Sequence, residues 1–230
     1  MSDDGRAFPG DDDPDVPQLL AGKLERVRGI AAARMDRLGE AVDWDERAFR
    51  DEERRRTLWW ERTIPRRFLW AELDKVDQSV RPLLDLWIVN DQPGWNLVIH
   101  GPFGCGKTYA AVAAARARHA SGALVEFWPV VEVLDGLRPR ADETERLSER
   151  LTQDVDLLIL DDLGREKTTD WVQERLYAIV NRRWMDERPT VVTTTLTRPE
   201  LEASVGESTI SRLCHGQLVA FPGSDRRRRP

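Results

Sequence analysis

The sequence predicts an α/β domain in which a parallel, doubly wound β-sheet is sandwiched by helices, with a small helical region before it. Two observations predict this. From Trp95 onward, short continuously apolar runs alternate with helical stretches, the pattern of strands buried on both faces. A glycine-rich turn also stands where the first of those runs gives way to a helix.

Asn96 to His100 (NLVIH) reads as the first strand, Lys107 to His119 as an alanine-rich helix and Ala123 to Trp128 (ALVEFW) as the second strand. Val130 to Leu151 holds helices broken at Arg138-Pro139. Val155 to Leu160 (VDLLIL) is a strand, Trp171 to Asp186 a helix and Thr190 to Thr195 (TVVTTT) another strand. Pro199 to Leu213 is helical, and Gln217 to Phe221 (QLVAF) is the last strand.

Upstream, residues 1–17 carry six aspartates against one arginine and read as a disordered acidic tail. Residues 18–63 read as an N-terminal helical region. Leu20, Leu24, Val27, Ala31 and Leu38 share one helical face. From Asp45 to Arg62 only Ala48, Phe49, Leu58, Trp59 and Trp60 are able to pack. Two such helices make a poor core alone, so they dock on the rest of the chain or on a partner protein. Pro65 starts a new segment, the main domain is expected over residues 64–225, and residues 226–230 form a basic tail.

Composition excludes several classes. The 230 residues are 40% apolar and 33% charged, and no apolar run approaches the ~20 residues that span a bilayer. Cys105 and Cys214 stand far apart, which indicates neither a disulfide framework nor a zinc module, so a cytoplasmic location is expected. His100, His119 and His215 lack ligand spacing. The net charge of −6 is mostly the acidic tail, which leaves room for a local basic face elsewhere.

Gly101-Pro102-Phe103-Gly104-Cys105-Gly106-Lys107-Thr108 fits GxxxxGK[ST] after a strand and at the start of a helix, the context this motif requires. Glycines let successive backbone N–H groups turn toward phosphate oxygens, and the helix N-terminus adds positive potential. Lys107 reaches the β and γ phosphates of ATP, the Thr108 hydroxyl ligates Mg²⁺, and Tyr109 completes the binding segment. The chain uses 31 arginines and four lysines, yet a compact ammonium stands at this position. Leu157 to Gly164 (LLILDDLG) delivers two carboxylates at a strand's C-terminal end, where doubly wound sheets bind ligands. Asp161 is expected to partner Mg²⁺ and Asp162 to polarise the attacking water, with slow hydrolysis suited to a switch. The 191–195 run brings hydroxyls to the same edge.

Together these segments resemble the DnaC/IstB-type AAA+ ATPases, in particular bacterial and phage helicase loaders. The matching segments are IPRRF at 64–68, GPFGCGKT at 101–108, LLILDDLG followed by REKTTDW at 157–171, and LYAIVNRRW at 176–184. PTVVTTTLT at 189–197, ISRL at 210–213 and the closing GSDRR complete the set. The resemblance implies a P-loop AAA+ fold without a C-terminal lid, consistent with the nine residues after Phe221. It implies that Thr195 takes the first sensor position, where the family usually has Asn, and that Arg212 is the arginine finger acting on a neighbouring subunit. Arg226 matches a family arginine that follows an aromatic, replaced here by Asp225.

What the resemblance implies of function is an ATPase that engages a hexameric replicative helicase through the N-terminal helices and single-stranded DNA through the ATPase domain. Arg165 and Lys167 are expected to neutralise phosphates there, and Trp171 to stack a base. The main alternative is an IstB-like ATPase that binds duplex DNA and assists a transposase. A nucleotide kinase is a third reading, against which the ISRL and LLILDDLG context argues.

Overall fold

The computed structural model describes residues 46–90, 92–138 and 141–222. The acidic tail, the helix expected around Leu20 to Leu38 and the basic tail lie outside the described residues.

Five strands form one all-parallel sheet: β1 Asn96–His100, β2 Val125–Pro129, β3 Leu157–Leu163, β4 Thr190–Thr194 and β5 Gly216–Ala220, in spatial order β2-β3-β4-β1-β5. Alternate side chains divide between two cores. Leu97, Ile99, Leu157, Ile159 and Val191 pack on one face, and Val98, Leu158, Leu160 and Val192 on the other. Helix α3 (Lys107–Ala120) lies in the first core, where Ala110 to Ala115 are all buried. Small side chains let this helix approach the sheet closely at little cost in side-chain entropy.

The second core takes α4 (Val130–Gly136), α6 (Asp170–Met185), α7 (Arg198–Val205) and α8 (Glu207–Leu213). The break foreseen at Arg138-Pro139 separates α4 from α5 (Ala141–Glu149). The stretch expected as one helical run over 199–213 is divided at Gly206, whose φ of 88° ends α7 and starts α8.

A short helix that periodicity did not suggest, α2 (Arg81–Val89), buries Leu84 and Trp87. Arg118 from α3 donates to the carbonyls of Trp87 and Asn90 and lies 4.9 Å from the Trp87 ring. It thereby satisfies acceptors that a helix C-terminus leaves open.

Of helix α1 (Glu46–Thr63), the residues from Arg55 onward belong to the larger of two compact units. Within that larger unit, Trp60 is buried and stacks on His119, and the Trp59 indole donates to the Val125 carbonyl. Arg150 lies over both the Trp59 and Trp128 rings and pairs with the buried Glu126. The last two turns of α1 therefore pack on the edge strand of the sheet, and the boundary expected at residue 63 falls after them.

One arginine of α6 is fully buried. Arg183 donates to the carbonyls of Leu151, Val155, Asp156 and Pro189 and to Thr190 Oγ1, joining α6 to the segments entering β3 and β4. Burial, with a contribution from Arg188, pulls its pKa down to about 9, which still leaves it charged at neutral pH.

Candidate active site

Three adjacent strands, β3, β4 and β1, end side by side at the carboxyl rim, and each contributes to one cluster. The loop after β1 curls through Gly101, Gly104 and Gly106, all at positive φ. At Gly101 a Cβ would lie 2.8 Å from the Phe221 carbonyl oxygen, so the loop rests directly on the segment leaving β5. Cys105 is buried, Pro102 and Phe103 are exposed, and Lys107 is 6% exposed. The Lys107 ammonium folds back to donate to the carbonyls of Gly101 and Pro102 at 2.9 and 2.8 Å.

Beside it the Thr108 hydroxyl donates to Asp161 Oδ1 at 2.9 Å, and the Thr193 hydroxyl donates to the same oxygen at 2.6 Å. The Asp162 amide donates to Thr193 Oγ1, so Thr193 is both donor and acceptor between the two carboxylate residues. Burial raises the pKa of Asp161. Its bonds to Thr193 and Thr108 oppose that rise, Asp162 adds to it and Lys107 opposes it.

The pairing of β3 with β4 shifts register between Leu160 and Leu163, across the two aspartates. Asp162 takes φ 61°, a left-handed conformation rare for a residue with a side chain. Such local irregularity re-aims a side chain next to a functional centre. Here Asp161 turns toward Thr108 and Thr193, while Asp162 lines the cleft and pairs with Arg165 at 3.0 Å.

The cleft over the loop has a volume of about 480 Å³. Its walls include Arg67, Phe68 and Val76 from the segment before α2, Tyr109 from α3 and Phe221. The Tyr109 hydroxyl accepts a bond from the Glu72 amide, which ties that segment to α3. Curled backbone, an ammonium, a hydroxyl and a buried carboxylate at a sheet's carboxyl rim fit a Mg²⁺-bound nucleotide. Lys107, Thr108 and the loop amides would hold the phosphates and Thr108 with Asp161 the metal ion.

The remaining expected residues are distributed unevenly. Thr195 lies just past the end of β4 and is half-buried, and the hydroxyl that reaches Asp161 belongs instead to Thr193, two residues earlier. Arg212 lies on α8, away from this chain's own cleft. It donates to Asn181 Oδ1, the Ser208 carbonyl and the Tyr177 hydroxyl, and lies over the Tyr177 and Trp184 rings. Arg226 lies outside the described residues.

The three residues expected to meet DNA fall on two surfaces. Arg165 lines the nucleotide cleft, where its guanidinium is engaged by Asp162 and lies 5.8 Å from the Phe103 ring. Lys167 and Trp171 line a separate groove with Val131 and Leu134 of α4. Arg165 and Lys167, only two residues apart, thus line different concavities, and Trp171 shares the second.

A family model for IstB-like ATP binding protein matches residues 32–220. The phage-like element PBSX protein XkdC of Bacillus subtilis (strain 168) is 28% identical over 138 residues, 56% of this chain and 51% of that protein. The replicative helicase loader DnaI of the same organism is 28% identical over 114 residues, 47% of this chain and 36% of that protein. A crystal structure of the DnaC helicase loader superposes with a TM-score of 0.61 at 25% identity, covering 69% of this chain and 100% of that one. The chain spans about half or less of the length of the curated relatives it matches first. Among the described residues, no helix is long and apolar enough to cross a membrane.

Proposed function

The chain belongs to the IstB-like ATP-binding protein family, and we propose that it is a helicase loader that uses ATP binding and hydrolysis as a switch in DNA replication. The observation that carries this reading is the convergence of Thr108 and Thr193 on Asp161 beside Lys107, in a fold shared with the DnaC loader.

Lys107 exchanges the Gly101 and Pro102 carbonyls for phosphate oxygens, a stronger charge-assisted partner. Thr108 and Asp161 would hold Mg²⁺, with Asp161 orienting the Thr108 hydroxyl that it already accepts from. Mg²⁺, when bound, neutralises charge on the transferring phosphoryl group. Asp162 polarises the attacking water, and Thr195 senses the γ-phosphate from the end of β4. Arg212 completes a neighbouring subunit's site, stabilising charge that develops on the terminal phosphate. Its backbone is fixed as well, since Asn96 of β1 donates to the Arg212 carbonyl.

The region before Arg55 serves as the helicase-docking element, and the Lys167–Trp171 groove takes single-stranded DNA. Retention of the replicative helicase by the full chain, with release dependent on ATP, is the expected result of co-purification with and without nucleotide. No retention, together with ATP-dependent filaments on duplex DNA, would overturn loading in favour of an IstB-like role beside a transposase.

A further inference from the structure

We propose that Arg165 is a nucleotide-state sensor acting within its own subunit, a guanidinium shared between Asp162 and the terminal phosphate of ATP. The inference rests on the nucleotide reading of the cleft.

Three observations place Arg165 there. It lines the same cleft as Lys107 and Thr108. Its Nη1 is 3.0 Å from Asp162 Oδ2, and its guanidinium lies 5.8 Å from the ring of Phe103, an exposed residue of the phosphate-binding loop. It thus bridges the two elements that meet around a γ-phosphate, the glycine-rich loop and the acidic strand end. The pair is also weakly held. Side-chain exposures of 57% and 40% place it among surface ion pairs, which contribute roughly 0–1 kcal/mol. A phosphate group offers more charge and several acceptor oxygens, so it competes successfully with one half-exposed carboxylate for the same planar fork.

The consequence for Asp162 follows from the same competition. With Arg165 on Asp162, the carboxylate's charge is partly neutralised and one oxygen is occupied, which makes it a poor acceptor for a water proton. When Arg165 moves to the terminal phosphate, Asp162 is released as an acceptor at the moment a triphosphate is present. A diphosphate places no group at that end and leaves the pair intact. Arg165 is therefore a positioning residue for Asp162 and a specificity determinant for ATP over ADP, and not a DNA contact.

Affinities of the full chain for Mg·ADP and for a non-hydrolysable Mg·ATP analogue, measured by calorimetry, test this. Arg165→Ala is expected to weaken the triphosphate analogue by about tenfold and the diphosphate by less than about twofold. Asp162→Asn removes the rival negative charge, so it is expected to tighten the triphosphate analogue in the parent and to leave it unchanged in the Arg165→Ala background. Equal loss for both nucleotides, or additive effects of the two substitutions, would overturn the proposal. So would unchanged nucleotide affinity with weakened binding of a single-stranded oligonucleotide. A parent chain that binds neither nucleotide would sink the nucleotide reading as well, and so is distinguishable from failure of the sensor alone.

Discussion

Thr193 donates its hydroxyl to Asp161 at 2.6 Å, on the same oxygen that Thr108 reaches from the start of α3. The contact joins β4 to β3 at the rim and opposes the rise that burial imposes on the Asp161 pKa. Because that pKa is raised in the folded chain, the folded state holds more protons than the unfolded one between the ordinary carboxylate value and the raised one. Stability therefore falls as pH rises through that window, whereas Mg²⁺ needs the ionised form and binds better. Thr193→Val is expected to push the window upward and weaken Mg²⁺-dependent nucleotide binding at its acid end. Titration of parent and variant upward from the ordinary carboxylate range checks this, and coincident midpoints would refute it.

Arg212→Ala is expected to leave ATP affinity unchanged while lowering assembly-dependent hydrolysis, on the order of 10³-fold if it matches arginine fingers elsewhere. Mixing Arg212→Ala with Lys107→Ala should recover part of the activity, since the Lys107→Ala chain supplies its intact Arg212 to the neighbouring site, whose own Lys107 is intact. A mixture as inactive as its components would remove the trans role.

The N-terminal limit of the unit that carries the sheet is testable by truncation. A form starting at Arg55 keeps Trp59 and Trp60 and should retain the parent's nucleotide affinity. A form starting at Ile64 loses the buried Trp60 and the Trp59 bond to β2, a cost of roughly 3–5 kcal/mol or more. Thermal melts that coincide for the two forms would contradict this packing.

Arg183→Met should destabilise the chain by roughly 3–5 kcal/mol, because it strands the carbonyls that Arg183 serves at the entries to β3 and β4. Arg183→Lys rescues only part, since an ammonium has three donors against five acceptors here. Denaturant midpoints measure both, and a loss under about 1 kcal/mol for the Met variant would show the network to be dispensable.

How legible this was depends on range. Strands such as NLVIH and LLILDD announce themselves because a parallel strand buried on both faces is apolar without interruption. The phosphate-binding loop is equally plain, since its chemistry is local and glycine-dependent. Long-range partnerships were not. Arg165, Lys167 and Trp171 are neighbours in sequence, yet the first lines the nucleotide cleft and the others a separate groove. Thr193 and Thr195 are alike in a threonine run, and only the β3–β4 register shows which hydroxyl meets Asp161. Arg183 lies in an arginine-rich helix end, where charge alone suggests solvent, and its burial follows from carbonyls contributed by distant segments.

The central claim is that the carboxyl rim binds Mg·ATP through Lys107. Calorimetric titration of Mg·ATP into the full chain and into Lys107→Ala tests it most directly. Saturable heat from the parent and none from the variant is the expected result. A silent parent, or a variant that binds with the parent's affinity, would contradict it.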